Sequence, residues 1–206
     1  MISYCDTIMY SYRIEQAIKA ASILHKDQVR KGEVPIPYVS HLYAVMLIAH
    51  DYTDDEEVLI ACLLHDTLED TDYTAKELQE DFGGYVREIV EGVTEPQDDA
   101  DHQYSWKERK QRYAKRLRKA PEGSLIVAAA DKIHNMRTIV EEYLDDHNRF
   151  MTEFGGSLDD RIEQYRDIHD LLNKRLKNGI LNEFNHVFSE YSNFISDVKA
   201  TKEKQF

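Results

Sequence analysis

Cysteine is nearly absent from this chain: Cys5 and Cys62 are the only two in 206 residues. They are too few and too badly placed for a disulfide framework or a thiolate zinc site. Proline, with 4 residues, and glycine, with 8, are scarce as well, which leans away from a turn-rich sheet protein and toward helices. No apolar run approaches the roughly 20 residues needed to cross a bilayer, so no membrane partner is expected. The first residues, Met1 to Tyr4, lack a basic segment followed by an apolar one. No secretory signal is therefore visible, and the cytoplasm is the expected compartment. Positive charge is also in short supply, 26 Lys and Arg against 39 Asp and Glu, for a net charge of −13. A polyanion is held by neutralising its phosphates with Lys and Arg, so nucleic acid is not an expected partner. A small anionic ligand in a locally basic pocket remains compatible with that balance.

What is present is a soluble, globular composition, 42% hydrophobic and 32% charged. One domain over residues 1–206 is expected, with a core over about 12–170 and C-terminal helices over about 157–204. Helical spacing of Ile14, Ala17, Ile18, Ala21, Ile23 and Leu24 predicts a first helix over 12–29. "RKGEVPIPY" breaks it, and a second helix is expected from near His41. A third should cover 55–69, capped by Thr53 or Asp54 with acidic residues in its first turn. Thr74 caps a fourth that stops at Gly83-Gly84, and 85–93 forms a short helix. "EPQDDADHQ" reads as a loop, 104–119 as an amphipathic helix stopped by Pro121 and Gly123, and "SLIVAAADKIHNMRTIVEEYL" as a second strongly apolar helix. No strand alternation and no repeat occurs. The fold class expected is all-α.

Chemistry concentrates where the apolar run Val58–Leu64 meets "HDTLED". On a helix, residues four apart share a face, so His65 lies beside Glu69 and Asp66 beside Asp70. Burying unpaired carboxylates is costly, and such a strip requires water or a cation. The second apolar helix repeats the pattern with Asp131 and Asn135, while His134, off that line, reads as structural. His41 adds an imidazole where "PYVSH" enters a helix. Two imidazoles and two carboxylates (His41, His65, Asp66, Asp131) suit Mn²⁺ or Fe²⁺, with Zn²⁺ as a further candidate. No P-loop, Gly-rich dinucleotide turn or serine elbow is present.

His41, the His65-Asp66 doublet and Asp131 resemble the H…HD…D signature of the HD phosphohydrolase superfamily. The segments "HKDQVRKGEVPIPYVSH", "LLHDTLEDTDYT", "FGGYVREIVEGVT" and "ADKIHNMRT" resemble, in order, the hydrolase domain of Rel/Spo-type enzymes, over about residues 12–170. The resemblance implies an HD-domain helical bundle and a stand-alone small alarmone hydrolase without a synthetase domain. It implies Mn²⁺-dependent removal of the 3′-pyrophosphate from guanosine 3′,5′-bis(diphosphate), ppGpp, or its pentaphosphate. Carried over by position, His41, His65, Asp66 and Asp131 become metal ligands. Glu69 and Asp70 position and activate the attacking water. Arg30 and Lys31 pack on the purine and a phosphate, Asn135 contacts substrate, and Arg161 and Tyr165 reach phosphates. A phosphate-binding lysine, which the small hydrolases place slightly earlier in the chain, is represented by Lys107. The alternatives are another HD nucleotide phosphohydrolase, acting on NADPH or a nucleoside monophosphate, and a nucleotide-sensing domain without turnover.

Overall fold

Seven consecutive apolar residues, Val58 to Leu64, offer no polar face to solvent, and all seven are buried. The helix they form, α3 (Glu56–Leu64), is accordingly walled in by α1 (Tyr12–Leu24), α2 (Val39–His50), α6 (Gly84–Val93) and α8 (Glu122–Tyr143). Leu63 and Leu64 are completely buried, and truncating such a side chain to alanine costs about 2–5 kcal/mol. The computed structural model describes residues 10–96, 103–154 and 157–203. Cys5 and positions 97–102 of the expected acidic loop lie outside them.

Around this centre the short α4 (Thr67–Asp70) follows α3, and α5 (Ala75–Phe82) leans on α6. Helix α7 (Trp106–Leu117) touches α6 and α10 (Leu158–Arg175), α9 (His147–Phe154) rests on α8, and α11 (Ile180–Glu203) packs along α8 and α10. Among the described residues no strand occurs; an isolated bridge joins Val29 and Pro37. The fold is all-α.

Several boundaries differ from expectation for local reasons. The first helix ends at Leu24, where the His25 N–H closes onto Ala21, rather than continuing to 29. Helix α2 starts at Val39, so His41 stands inside its first turn. The cap of α3 is Asp55, whose side chain accepts from the Glu57 N–H, and not Thr53 or Asp54. The expected helix over 55–69 is interrupted at His65-Asp66. There His65 Nδ1 takes the Cys62 carbonyl at 2.8 Å and Thr67 Oγ1 takes the Leu64 carbonyl at 2.6 Å. Side-chain donors competing for ladder carbonyls break the ladder. Gly123 does not stop a helix: Pro121 caps α8 and Gly123 lies in its first turn. A Cβ on Gly123 would fall 2.8 Å from Ile89 Cδ1. Thr74 and Ser105 each close a capping box, with Glu77 and Glu108.

Two features place the functional residues. Every position of α8 from Gly123 to Asp131 is buried, which drives Asp131 into the interior. The α1–α2 loop folds back on itself, with the Arg30 N–H on the Ile36 carbonyl and the Tyr38 N–H on the Gln28 carbonyl, both at 2.9 Å. Gly32 sits in this loop at φ +148°, where a Cβ would strike the Glu142 carboxylate. That carboxylate accepts from the Glu33 N–H at 2.9 Å and ties the loop to α8.

Candidate active site and metal centre

His41 arrives from α2, His65 and Asp66 from the break after α3, and Asp131 from α8. Their donor atoms converge. His41 Nε2 lies 3.3 Å from Asp131 Oδ1 and 3.7 Å from Asp66 Oδ2. His65 Nε2 lies 3.2 Å from Asp66 Oδ2 and 3.8 Å from Asp131 Oδ1. Ligand bonds of about 2.0–2.2 Å to one ion put neighbouring donors about 3–3.6 Å apart, close to this spacing. His41, His65 and Asp66 form a group able to hold a metal, and Asp131 Oδ1 adjoins both imidazoles.

The imidazoles are set for ligation by what holds their other nitrogens. His65 Nδ1 faces the Cys62 carbonyl, which holds a proton there and leaves Nε2 turned toward the carboxylates. That Nε2 is buried yet makes no aligned hydrogen bond, the signature of a ligand atom more than of a donor. His41 Nδ1 meets His134 Nδ1 at 2.9 Å. Burial, with His41 and Arg30 nearby, pushes His134 down to about 4, so it stays neutral and free to accept. His134, expected to be merely structural, is therefore the partner that orients His41. Burial depresses His41 and opposes a proton on His65 as well. On His65 the carboxylates of Asp66 and Asp131 outweigh it and raise the group to about 9. Two facing carboxylates draw a proton where a cation would satisfy them.

Other carboxylates flank the centre. Glu69 lines its pocket, and its Oε2 accepts from the Glu95 N–H at 2.9 Å. Burial, reinforced by the Glu95, Asp66 and Asp70 charges, lifts Glu69 to about 7 against the pull of that N–H. Asp70 sits to one side of the pocket, raised by burial and Asp66, with His25 and His65 opposing. Tyr38, absent from the sequence expectations, donates to Asp66 Oδ2 at 2.6 Å and stacks on His25. Its position one turn before His41 was the available signal.

A cleft of about 360 Å³ adjoins this centre, lined among others by Arg30, Lys31, Phe154, Arg161 and Tyr165. That is the size range of small-ligand sites. Tyr38 and Asn135 line both the cleft and the metal pocket. Arg30 donates to Asn135 Oδ1 at 2.9 Å, and Asn135 donates in turn to Asp131 Oδ1. Lys31 lies over the Phe154 ring, and Arg161 donates to the Phe154 carbonyl at 2.7 Å. Lys107 is not brought in. It stands in a separate groove against Asp160, 3.8 Å away. One turn on, Lys110 reaches the metal pocket and pairs with Glu95.

The chain is similar to known proteins over most of its length. A family model described as "HD domain" matches residues 17–154. The Homo sapiens guanosine-3′,5′-bis(diphosphate) 3′-pyrophosphohydrolase MESH1 is 34% identical over 152 residues, covering 73% of this chain and 76% of that protein. The Mus musculus MESH1 is 36% identical over 126 residues, 60% of this chain and 68% of that one. The Escherichia coli bifunctional (p)ppGpp synthase/hydrolase SpoT is 33% identical over 148 residues. The chain spans only 20% of SpoT and 15% of a Streptomyces coelicolor GTP pyrophosphokinase. Among solved structures, a metazoan SpoT orthologue described as hydrolysing ppGpp superposes with a TM-score of 0.70 at 27% identity, covering 88% of this chain and 96% of that one. The converging His41, His65, Asp66 and Asp131 and the match over residues 17–154 agree: the chain belongs to the HD domain family.

Proposed function

We propose that this chain is a metal-dependent guanosine-3′,5′-bis(diphosphate) 3′-pyrophosphohydrolase that uses Mn²⁺. The observation that carries the reading is the shared wall of Tyr38 and Asn135, which joins a nucleoside-sized cleft to a four-donor centre. His41, His65, Asp66 and Asp131 would hold the ion, and two neutral imidazoles with two carboxylates suit Mn²⁺. When bound, such an ion supplies Lewis-acid polarisation and makes water more acidic at neutral pH.

The chain's own residues do the rest. Arg30 and Lys31 grip the purine and a neighbouring phosphate, while Arg161 and Tyr165 close the far side of the cleft. Asn135 holds the ribose end near Asp131. Glu69 and Asp70 orient the attacking water, and Glu69 takes its proton. The water oxygen bonds to the phosphorus on the 3′ oxygen as the bond from that phosphorus to the 3′ oxygen breaks. The 3′ oxygen leaves with a proton, giving GDP or GTP and intact pyrophosphate. Support comes from the MESH1 relatives, named for this reaction, and from the metazoan structure.

The test is product analysis by anion exchange with Mn²⁺-loaded protein. GDP and pyrophosphate from ppGpp are expected, with GDP and GTP themselves left intact. Inert ppGpp beside rapid turnover of NADPH or a mononucleotide would assign the chain to another HD phosphohydrolase activity. Saturable ppGpp binding without any turnover would make it a sensor.

A further inference from the structure

Lys132 falls within the "ADKIHNMRT" segment but is assigned no role by the sequence, yet it lines the metal pocket. The side chain is 18% exposed, and Nζ stands 2.6 Å from Asp131 Oδ2. Its other close neighbour is aromatic: the Tyr113 ring centroid lies 5.5 Å from Nζ. The pocket wall is otherwise rich in carboxylate, with Asp66, Glu69, Glu95 and Asp131 all lining it. Its second lysine, Lys110, is held by Glu95. An ammonium carries three donors. Asp131 takes one, and a ring face satisfies a cation without accepting a linear hydrogen bond.

We propose that Lys132 is a catalytic residue whose ammonium contacts a non-bridging oxygen of the phosphoryl group under attack and neutralises the charge that group gains. The proposal rests on the hydrolase reading above. The geometry has two parts. Asp131 presents Oδ1 to His41 and His65 and Oδ2 to Lys132, so one carboxylate holds both the ligand cluster and the cation at a fixed separation. Lys132 also lines the same pocket as His41, His65, Asp66 and Glu69, so a phosphoryl group seated there would meet both the ligand cluster and the ammonium. A fixed cation aimed where charge develops lowers the barrier more than a mobile one, because no reorganisation is needed.

A purely structural role makes the opposite forecast for metal binding. If Lys132 only steadied Asp131, its removal would loosen that ligand and weaken Mn²⁺ binding about 10–100-fold. If Lys132 serves the phosphoryl group, its removal frees Asp131 from a competing cation, and Mn²⁺ binding is unchanged or tighter. The experiment compares wild type, Lys132→Met, which keeps length without charge, and Lys132→Arg, with helical circular dichroism as the fold control. Three quantities are read: the Mn²⁺ dissociation constant of EDTA-stripped protein by electron paramagnetic resonance, calorimetric binding of inorganic pyrophosphate to the Mn²⁺-loaded protein, and kcat and KM on ppGpp. In Lys132→Met, Mn²⁺ affinity should equal or exceed wild type, pyrophosphate affinity should drop at least tenfold, and kcat should fall about 10²–10³-fold. Lys132→Arg should recover at least tenfold of that kcat, and it decides the matter if the Met variant does not fold. A Met variant with near-wild-type kcat, or with Mn²⁺ affinity reduced tenfold or more, overturns the proposal and leaves the hydrolase activity standing. A wild-type chain that does not hydrolyse ppGpp overturns both.

Discussion

Replacing His134 by leucine should weaken Mn²⁺ binding without disturbing the fold, and the size of the effect follows from one contact. A His41 that ligates through Nε2 must carry its proton on Nδ1, and that N–H points at His134 Nδ1, 2.9 Å away. Because burial keeps His134 near 4, it is a neutral acceptor at pH 7. Leucine removes the acceptor and strands a buried donor, at a cost of about 1–3 kcal/mol. Loss of a partner that orients a metal-binding histidine costs 10–100-fold in affinity, about 1.4–2.7 kcal/mol, the same range. His134→Asn offers a carbonyl oxygen near the position of the lost Nδ1 and should recover much of the loss. His134 lines the groove behind the α1–α2 loop and not the metal pocket, so neither variant removes a group facing the ion. Electron paramagnetic resonance titration of EDTA-stripped protein with Mn²⁺ measures the constants. Wild-type affinity in His134→Leu, or equal weakening in the leucine and asparagine variants, would refute the reasoning.

Mn²⁺ at 100 times its dissociation constant adds about 2.7 kcal/mol to stability. At about 2–4 °C per kcal/mol for a chain of this size, a melt of stripped protein should rise by about 5–11 °C, and an unmoved midpoint would count against the centre. Burial raises Glu69 to about 7, so the ionised, proton-accepting form grows in between about pH 6 and 8. The rate kcat/KM should climb over that interval, and Glu69→Gln should flatten the limb and lower kcat roughly 10²-fold. A flat wild-type profile contradicts the role. In the metal-free protein the same carboxyl keeps a proton that the unfolded chain has released between its ordinary 4.5 and about 7. Stability should consequently fall as pH rises across that window, and less so in Glu69→Gln. Tyr38→Phe keeps the stack on His25 but loses the 2.6 Å bond to Asp66. About tenfold weaker Mn²⁺ binding is expected, and unchanged affinity would show that Asp66 needs no such support. Thr74→Ala dismantles the capping box at α5 and should lower the melting temperature by about 2–4 °C, for a cost near 1 kcal/mol.

The parts of the fold legible in the sequence were those set by local chemistry. Val58–Leu64 announced a helix with no exposed face, and the run before Asp131 announced another; both are buried as expected. The His-Asp spacing that suggested a ligand cluster corresponds to donor atoms that do converge. What spacing could not show is where one side chain competes with the backbone. The break at His65-Asp66 comes from His65 and Thr67 capturing carbonyls, a contest that residue periodicity does not record. Nor could it show partners from distant helices. His134 and Tyr38 matter through contacts to His41 and Asp66 that exist only once α2, α3 and α8 are docked. Lys107 and Lys110 lie three apart on α7, and only the direction in which that helix faces α10 and the pocket tells them apart.

The meeting of His41 with His134 closes a loop of 93 residues, and that of Arg30 with Asn135 one of 105. Closing a loop near 100 residues costs about 4 kcal/mol of chain entropy beyond a constant, so such contacts form late in folding. The cluster therefore lacks its fourth donor, Asp131, in a chain whose first three helices have collapsed but whose α8 is still undocked. An ion held by all four donors is a witness to the docked α8, and it pulls the equilibrium toward the native state. A nascent chain on the ribosome lacks Asp131 until α8 has emerged, so the four-donor centre is incomplete in an unfinished copy.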